Sequence, residues 1–400
     1  MDSKYLDELR EGIFLCMGCG VCRGVWSRRG EGMCPVFATG IGFEDSMPRG
    51  RVTVAQDILD GYTTYSRVLA DSLYRCTQCA ACVTLCGADD TETGHPIVDV
   101  PAIVEAMKAD AVEHGLVPPK VRDFLENIQK YGNPYGEPAD KRAQWAEGTG
   151  IKQYQVDDEF LLYIGCVGSY DTRSQEAAKA LGSLLLEAGV TFGILGAEEK
   201  CDGNEVLRLG ERDLFEYLAE ETIKTFKDLQ VRNVIALSPH SYNVMKNEYP
   251  RLGADFEVIH YTQFLRDLVK NKKLKPTTGF KARVTYHDPC FLGRHNDEYD
   301  AARETLTSIP GIDLVEMHRT QANSFCCGGG GGNFYTDLIA GKENSPSRVR
   351  VREAHETGAQ VLAVACPVCI TMLQDAIKAE DLEDRLQVRD VSEILREACI

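Results

Sequence analysis

The apolar and polar positions of this 400-residue chain follow two patterns, and the change between them falls near residue 159. Before that point, apolar residues recur at helical spacing in short stretches, such as residues 51–60 and 65–74. Residues 101–115 continue the helical pattern, whereas residues 131–140 carry two prolines and two glycines and predict a loop. The first part of the chain is therefore predicted to be helical, with a linker before the second part.

From residue 159 onward, short apolar runs alternate with longer amphipathic stretches. Residues 160–164, 190–195 and 233–237 are predicted to be strands, and apolar residues at helical spacing predict helices over 171–188 and near 212–229. This alternation continues to residue 379. Strands that alternate with helices indicate α/β domains with largely parallel sheets.

The second part of the chain also contains an internal repeat. The segment FLLYIGCVGSYDTRSQEAAKAL corresponds to ARVTYHDPCFLGRHNDEYDAARETL, which aligns Cys166 with Cys290. The segment EKCDGNEV corresponds to SFCCGGGG, which aligns Cys201 with Cys326 and Asp202 with Cys327. The segment VIALSPHSYNVM corresponds to VLAVACPVCITM, which aligns Ser238 with Cys366 and Ser241 with Cys369. The aligned positions follow predicted strands, and ligands of open α/β sheets bind at the carboxyl ends of strands.

Composition and charge limit the possible classes of protein. The net charge of −17 argues against nucleic acid and anionic membrane surfaces as partners. No apolar run is long enough for a transmembrane helix, and the charged start MDSKYLDELREGIF lacks the apolar core of a secretory signal. We therefore expect a cytoplasmic protein. Its 16 cysteines are then reduced thiols, suited to soft metal sites rather than disulfides.

Eight cysteines near the N-terminus have the spacing of a two-cluster ferredoxin. Such proteins use C-x2-C-x2-C-x3-C-P, and the fourth cysteine of each run ligates the other cluster. The second run here has this spacing, and the first has eight extra residues, 24–31, before its Cys-Pro. Structural zinc, the alternative, uses C-x2-C pairs instead of triplets. We assign one 4Fe–4S cubane to Cys16, Cys19, Cys22 and Cys86, and a second to Cys76, Cys79, Cys82 and Cys34.

The five remaining motif cysteines carry a family resemblance. The phrases YHDPCFLGRHN, FCCGGGGGN and ACPVCITM resemble the cysteine-rich CCG domain of the catalytic component of heterodisulfide reductase, HdrD, and of its relatives. Those relatives include iron–sulfur subunits of glycolate and glycerol-3-phosphate oxidoreductases and electron-transfer-flavoprotein-linked oxidoreductases. The resemblance implies one non-cubane 4Fe–4S cluster, held by Cys290, Cys326, Cys327, Cys366 and Cys369.

The resemblance also implies the fold and the division into domains. We expect a mixed α+β and α/β architecture, in which a helical two-cluster ferredoxin domain is followed by two α/β CCG domains. The expected ranges are residues 1–100 for the ferredoxin domain, 101–158 for a helical linker segment, 159–279 for a degenerate CCG repeat and 280–400 for an intact one.

The first repeat departs from the family pattern, because three of its five ligand positions are not cysteine. We favour a structural remnant there. The alternative is a zinc ion held by Cys166, Cys201, Asp202 and His240, whose side chains suit that metal.

Other polar and glycine residues add candidates in the second repeat. Glycines 328–332 are expected to permit close backbone approach and to direct N–H groups at cluster sulfides. A phosphate loop is the alternative, but no Gly-Lys-Ser/Thr follows. His287 is a candidate proton donor or simply a structural histidine, and Arg294 and His295 are candidate neighbours of the cluster.

These observations predict an iron–sulfur electron-transfer subunit of an anaerobic hetero-oligomeric redox complex. The resemblance suggests as partners an electron-transferring flavoprotein, an HdrA-like flavoprotein, or a class II benzoyl-CoA reductase assembly, and it permits membrane association through a partner. The alternative is a heterodisulfide-reductase-like enzyme that acts on a thiol or disulfide. The sequence leaves open whether the chain has a substrate of its own.

Overall fold

The computed structural model describes residues 3–24, 32–39, 43–92, 94, 96–339 and 343–400. Most of the predicted insertion in the first cysteine run, residues 25–31, lies outside this description. No helix in the described ranges is long and apolar enough to cross a membrane.

The N-terminal domain is helical and is built around one central helix. Asp110 of that helix is buried and accepts hydrogen bonds from the backbone of Tyr5 and Leu6 and from the Tyr65 hydroxyl, at 2.8–3.2 Å. The central helix therefore fixes the start of the chain to the rest of the domain. The helices are α1 (Lys4–Asp7), α2 (Arg10–Phe14), α3 (Pro35–Thr39), α4 (Pro48–Leu59), α5 (Arg67–Leu73), α6 (Ala81–Cys86), and the central α7 (Val100–Glu113).

The segment predicted as a linker is divided between two cores. Helix α7 supplies Ile103, Val104 and Met107 to the core of the N-terminal domain. The next helix, α8 (Pro119–Tyr131), packs Phe124 and Ile128 on the core of the first repeat. A 3₁₀-helix, Ala139–Ala146, follows it.

The first repeat is a four-stranded parallel sheet with helices around it. The strand order is β2-β1-β3-β4, so the connections change direction between the two central strands. Its elements are β1 (Phe160–Tyr163), α9 (Gly165–Tyr170), α10 (Ser174–Glu187), β2 (Phe192–Gly193), α11 (Asn204–Arg208), α12 (Arg212–Asp228), β3 (Asn233–Ala236), α13 (Pro239–Asn247), β4 (Glu257–His260) and α14 (Tyr261–Lys270).

The second repeat has the same topology, with strand order β6-β5-β7-β8 and all strands parallel. The alternation of strand and helix runs beyond residue 379, where the sequence pattern stopped predicting it, to the last helix. The elements are β5 (Ala282–Tyr286), α15 (Ala301–Thr307), β6 (Ile312–Leu314), α16 (Asn333–Thr336), α17 (Pro346–Glu356), β7 (Val361–Val364), α18 (Pro367–Ala379), β8 (Gln387–Asp390) and α19 (Val391–Cys399).

The two repeats share one hydrophobic core. Helix α10 packs on α19, and their counterparts α15 and α14 pack on each other, so the interface is nearly symmetric. Leu162 and Ile235 of the first sheet lie in the same buried cluster as Val284 and Ala363 of the second. Such a continuous core holds the two repeats in a fixed relation, because separating them would expose apolar area.

The predicted ligand positions lie at the carboxyl ends of the central strands. Cys166 follows β1 and Ser238 follows β3, while Cys290 follows β5 and Cys366 follows β7. Each pair flanks the point where the strand order reverses, which is the usual ligand site of an open parallel sheet.

Candidate functional site

Four cysteines of the ferredoxin domain lie together near the protein surface. Burial raises the pKa of Cys22 to about 11, and the thiols of Cys16, Cys86 and Cys19 lie close enough to add to that rise. Cys19 is exposed and the other three are half-buried. The structure thus groups the four cysteines that the spacing assigns to the first cubane.

The second set of four lies deeper in the molecule. Burial raises the pKa of Cys34 to about 12, with smaller contributions from Cys79 and Cys76. Burial, followed by the neighbouring thiols of Cys79, Cys76 and Cys34, also raises the pKa of Cys82. The set predicted for the second cubane is therefore also brought together, and soft thiolates at this density suit an iron–sulfur cluster.

The two cysteine loops share a backbone conformation that glycine adopts easily. In the first run, Gly18 and Gly20 have positive φ angles of 67° and 75°. The second run has Gln78 and Ala80 at the same places, with φ of 56° and 58°. A side chain in the left-handed region costs energy, and such strain persists only where the surroundings hold it.

Two residues of the second repeat hold the second loop in that conformation. The Arg294 Nε donates to the carbonyl of Cys79 at 2.6 Å, and His295 Nε2 lies 2.8 Å from the carbonyl of Gln78. Arg294 also donates to the carbonyl of Ser324 at 2.6 Å. The sequence pattern predicted both residues beside the third cysteine group, and the structure places them between that group and the second one.

The five cysteines of the second repeat are all buried and converge. The Sγ atoms of Cys327 and Cys369 are 3.4 Å apart. The thiols of Cys290 and Cys327 lie close enough to affect the pKa of Cys326, and that of Cys366 does the same for Cys369. This set joins the ends of β5 and β7 to the glycine loop. Its donor chemistry fits the iron–sulfur cluster that the family resemblance implies.

The second and third cysteine groups touch each other. The thiols of Cys79 and Cys326 lie close enough to affect each other's pKa, although the two residues lie in different domains. Cys79 and Cys326 also share a small buried apolar cluster with Cys290, Phe291 and Met33. The interface between the ferredoxin domain and the second repeat is therefore built from the candidate ligands themselves.

The glycine run fits tightly against the ferredoxin loop. A Cβ atom at Gly330 would lie 2.6 Å from the carbonyl oxygen of Thr77, and one at Gly331 would lie 2.3 Å from that of Cys76. The Gly328 N–H donates to the sulfur of Cys326 at 3.3 Å. The expected close approach thus occurs mainly against protein backbone, with one described N–H directed at a cysteine sulfur.

His287 lies among the ligands of the third group. A ring nitrogen of His287 and the sulfurs of Cys327 and Cys369 lie within 4.8 Å of one another. Among the described residues, no other three histidine, cysteine, aspartate or glutamate side chains bring their ligand atoms this close together. Hydrogen bonds from Cys326, Cys369 and His287 hold the pKa of Cys327 well below its usual range. Of the two roles that the sequence allowed for His287, the structure places it as a donor to a cysteine.

The first repeat has an ion pair where the second has cysteine ligands. Arg142, from the segment before the repeat, donates to Cys166 Sγ at 3.0 Å and to Glu199 at 3.3 Å. Glu199 in turn accepts from the backbone N–H groups of Ile164 and Gly165, at the end of β1. A buried guanidinium therefore contacts the sulfur at the position that corresponds to Cys290.

Three of the four side chains considered for zinc, those of Cys166, Asp202 and His240, are already engaged with polar partners. Asp202 accepts from the Ser241 hydroxyl at 2.6 Å and from the backbone of Asn204 at 2.8 Å. His240 lies 2.6 Å from Glu205 through Nδ1, and its ring also contacts Cys366 of the second repeat. Since these contacts and that of Arg142 occupy these donors, the arrangement favours the remnant over zinc.

Several of these residues could not be found from the sequence. Arg142 lies in a segment predicted as a linker, and no motif marks it or Glu199. Glu205 connects the repeats, since it accepts from the Gly332 backbone as well as contacting His240. Of this cluster, the sequence indicated only His240, which lies between the two serines aligned with Cys366 and Cys369.

Comparison with protein families agrees with the three cysteine groups. Residues 160–246 and 284–374 match the cysteine-rich domain family, CCG, and residues 12–89 match the 4Fe-4S dicluster domain family. Each match to the cysteine-rich domain lies within one repeat and reaches the first three strands of its sheet. They confirm the predicted mixed fold of a dicluster ferredoxin domain and two CCG repeats.

Curated relatives extend this similarity over the whole chain. The chain is 36% identical to the probable iron-sulfur-binding oxidoreductase FadF of Bacillus subtilis, over 83% of this chain and 47% of that protein. It is 34% identical to the EtfAB:quinone oxidoreductase of Syntrophomonas wolfei, over 84% of this chain and 47% of that protein. The chain thus spans about half the length of these two relatives.

A third relative matches this chain over nearly its whole length. It is the HdrD component of the dihydromethanophenazine:CoB–CoM heterodisulfide reductase of Methanosarcina barkeri, which is 30% identical over 100% of this chain and 97% of that protein. Together with the family matches, this similarity confirms the resemblance seen in the sequence. The chain belongs to the CCG-domain family of iron–sulfur proteins that includes HdrD of heterodisulfide reductase.

Proposed function

We propose that this chain is the electron-transfer subunit of a larger redox complex and that it holds three 4Fe–4S clusters. Two are cubanes in the N-terminal domain, and the third is a non-cubane cluster on the five cysteines of the second repeat. Bound clusters of this kind exchange single electrons at potentials set by their protein surroundings. The ligands that we propose are the thirteen cysteines of the three motif groups.

The contact between Cys79 and Cys326 carries this proposal. A ligand of the second group touches a ligand of the third, so the two sites share a boundary without intervening side chains. Arg294 strengthens this boundary, because it is half-buried near Cys79, Cys290 and Cys326 and donates to backbone on both sides. A rigid, direct junction of this kind supports a relay between the two domains.

The exposure of the first group supports a direction for the relay. Cys19 is exposed, and Met17, in the same loop, is 91% exposed. Leu15 and Phe14 are also exposed beside it. An apolar surface around the outermost cysteine suits contact with a partner protein, whereas the third group is fully buried.

We propose three redox assemblies as candidate partners of this chain. The name EtfAB:quinone oxidoreductase, carried by one relative, favours an EtfAB-type electron-transferring flavoprotein as the first to test. An HdrA-like flavoprotein, or a class II benzoyl-CoA reductase assembly, would use the same exposed face. We propose cytoplasmic placement, with any membrane association supplied by a partner.

A substitution at the junction tests the relay. In the full, reconstituted chain, Cys79→Ala should slow reduction of the third site by an electron-transferring flavoprotein, because the neighbouring site loses a ligand. Reduction by dithionite, which can approach each site itself, should persist. Freeze-quench electron paramagnetic resonance distinguishes the two routes.

Two further variants complete this experiment. Cys399→Ala, on the last helix, is the control and should change neither route. Arg294→Met keeps all thirteen proposed ligands and should slow only the route through the partner. Unimpaired partner-driven reduction in both Cys79→Ala and Arg294→Met would contradict the relay and indicate that the partner docks directly on the second repeat.

An enzyme with its own thiol or disulfide substrate at paired clusters is the alternative. The first repeat argues against that alternative, because Arg142 and Glu199 occupy the neighbourhood of Cys166 and three ligand positions are not cysteine.

A further inference from the structure

The first repeat retains two cysteines, and the fold brings their thiols together. Cys166 follows β1, and Cys201 lies in the loop before α11. The two residues lie in the same buried cluster and line the same small cavity, and they are only 6% and 7% exposed. The remaining motif positions of this repeat have lost their sulfur, so the pair is separate from the thirteen cysteines assigned to clusters.

The surroundings make the two thiols chemically different. The hydrogen bond from Cys201 and the guanidinium of Arg142 lower the pKa of Cys166 against the effect of burial. The same hydrogen bond, with burial, raises the pKa of Cys201 well above its usual range. The arrangement therefore provides one thiol that ionises readily beside a cation and one that stays protonated next to it.

The space around the pair is small, and a larger cavity lies beyond Arg142. The inner cavity has a volume of about 40 Å³, with Cys166, Cys201, Asp202 and Tyr335 among its lining residues. That volume suits a few water molecules. On the other side of Arg142 and Glu199 lies a cavity of about 210 Å³, also lined by Tyr170 and Lys200.

Arg142 separates this outer cavity from Cys166. Lys200 is partly exposed at the rim of the cavity, and Arg142 belongs to its lining while contacting the sulfur. A rotation of the Arg142 side chain away from Cys166 would join the two cavities. The cation would then attract an anionic small molecule to the sulfur it had covered.

We propose that Cys166 and Cys201 form a redox-active dithiol that a small organic disulfide oxidises. Cys166 attacks one sulfur of the small disulfide, which breaks its S–S bond, forms a mixed disulfide and releases one thiol. Cys201 then attacks the sulfur of Cys166, which releases the second thiol and forms the Cys166–Cys201 bond. Two protein thiols lose two electrons and two protons, and the small disulfide becomes two thiols.

The geometry suits both steps. The Cys201 thiol already contacts Cys166, so it can resolve the mixed disulfide without a change of fold, and the product S–S bond is about 2.05 Å long. The site does not require bound iron, so this inference is independent of the proposed relay.

Thiol mapping in the intact protein tests the pair. The fully reconstituted chain, with its proposed ligands protected by clusters, is incubated with oxidised glutathione and then alkylated under anaerobic conditions. Peptide mass spectrometry should show a Cys166–Cys201 disulfide, while the iron content stays unchanged. Cys399, a thiol on the last helix, is the internal control and should form no bond to either residue.

Two variants identify the role of each cysteine. In Cys201→Ser, glutathione should remain attached to Cys166, because nothing resolves the mixed disulfide. In Cys166→Ser, Cys201 should stay unmodified. Arg142→Met should slow the formation of the disulfide, and Arg142→Lys should restore part of the rate.

Three results would overturn the proposal. The first is that both thiols remain alkylatable in the folded wild-type chain after this treatment. The second is loss of iron together with their oxidation, which would make them cluster ligands. The third is one zinc ion per chain that protects both thiols and is absent from Cys166→Ser.

Discussion

The Nε atom of Arg350 lies 3.0 Å from Nδ1 of His287. An arginine can only donate, so Nδ1 must accept and the ring proton must reside on Nε2. Arg350 is fully buried and is fixed by Glu353 at 2.8 Å and by the Ser324 hydroxyl at 3.0 Å. The buried guanidinium thus sets the tautomer of His287, which donates to Cys327 in the third cysteine group.

This relationship predicts a change in redox potential. His287→Gln, or Arg350→Lys, which removes the Nε donor and retains the charge, should lower the reduction potential of the third site. Losing one hydrogen bond to a charged sulfur costs about 1.5–3 kcal/mol, equivalent to roughly 65–130 mV for one electron. Potentiometric titration followed by electron paramagnetic resonance measures the shift.

The matched control for that experiment lies on the same helix. Arg348, also on α17, pairs with Glu380 instead of His287, so Arg348→Lys should leave the potential unchanged. An equal shift in both variants would indicate a general effect of the helix. Iron content must stay constant in all of them for the comparison to hold.

Substitution of corresponding cysteines in the two repeats should have different effects on the iron content. The reconstituted wild-type chain should contain about twelve iron atoms on the stoichiometry of three 4Fe–4S clusters. Cys326→Ser should lose about four of them, whereas Cys201→Ser, at the corresponding position of the first repeat, should lose none. Iron and sulfide analysis under anaerobic conditions measures the content of each protein. A wild-type content of about eight would remove the third cluster from the proposal.

The fit of the glycine loop predicts a loss of stability. Gly330→Ala places a methyl group 2.6 Å from the Thr77 carbonyl, so the loop or the ferredoxin domain must move. Overpacking of this kind costs about 1–3 kcal/mol, which a urea titration of the full chain measures. Gly279→Ala is the control, since its nearest atom lies at 3.4 Å. Equal stability of the two variants would show that the contact with Thr77 is easily relieved.

A buried histidine in the first repeat predicts a pH dependence of stability. His260 is fully buried, its Nδ1 accepts from Thr262, and its Nε2 has no hydrogen-bond partner within the described residues. Burial lowers its pKa to about 3. Below about pH 6.5 the unfolded chain takes up a proton that the folded chain does not, so stability falls by up to about 1.4 kcal/mol per pH unit until the pH approaches the folded value.

Replacing this histidine should remove its share of the pH dependence. His260→Asn retains a residue that caps the start of α14 and does not titrate. The difference in unfolding free energy between about pH 7 and about pH 5.5, measured in urea, should be smaller in the variant by about 1 kcal/mol. The same difference in both proteins would mean that the pKa of His260 does not change on folding.

The sequence predicted the elements that depend on local pattern. The strands β1 and β3 and the helices α10 and α12 lie where periodicity placed them, because one buried face imposes a regular spacing of apolar residues. The strand expected over residues 190–195 is shorter, Phe192–Gly193, since its edge position leaves only two paired residues. Helix α7 was assigned to a linker because the pattern shows that a helix has a buried face but does not show which domain covers it.

The sequence by itself indicated the two ferredoxin groups, because short spacings bring cluster ligands together locally. The resemblance of three phrases indicated the third group and the family. Contacts between distant segments were decided only by the tertiary structure. The meeting of Cys79 with Cys326, the guanidinium of Arg142 on Cys166 and the orientation of His287 by Arg350 each join residues that no shared motif connects. Such pairs arise from the packing of whole sheets and helices, and no local pattern encodes them.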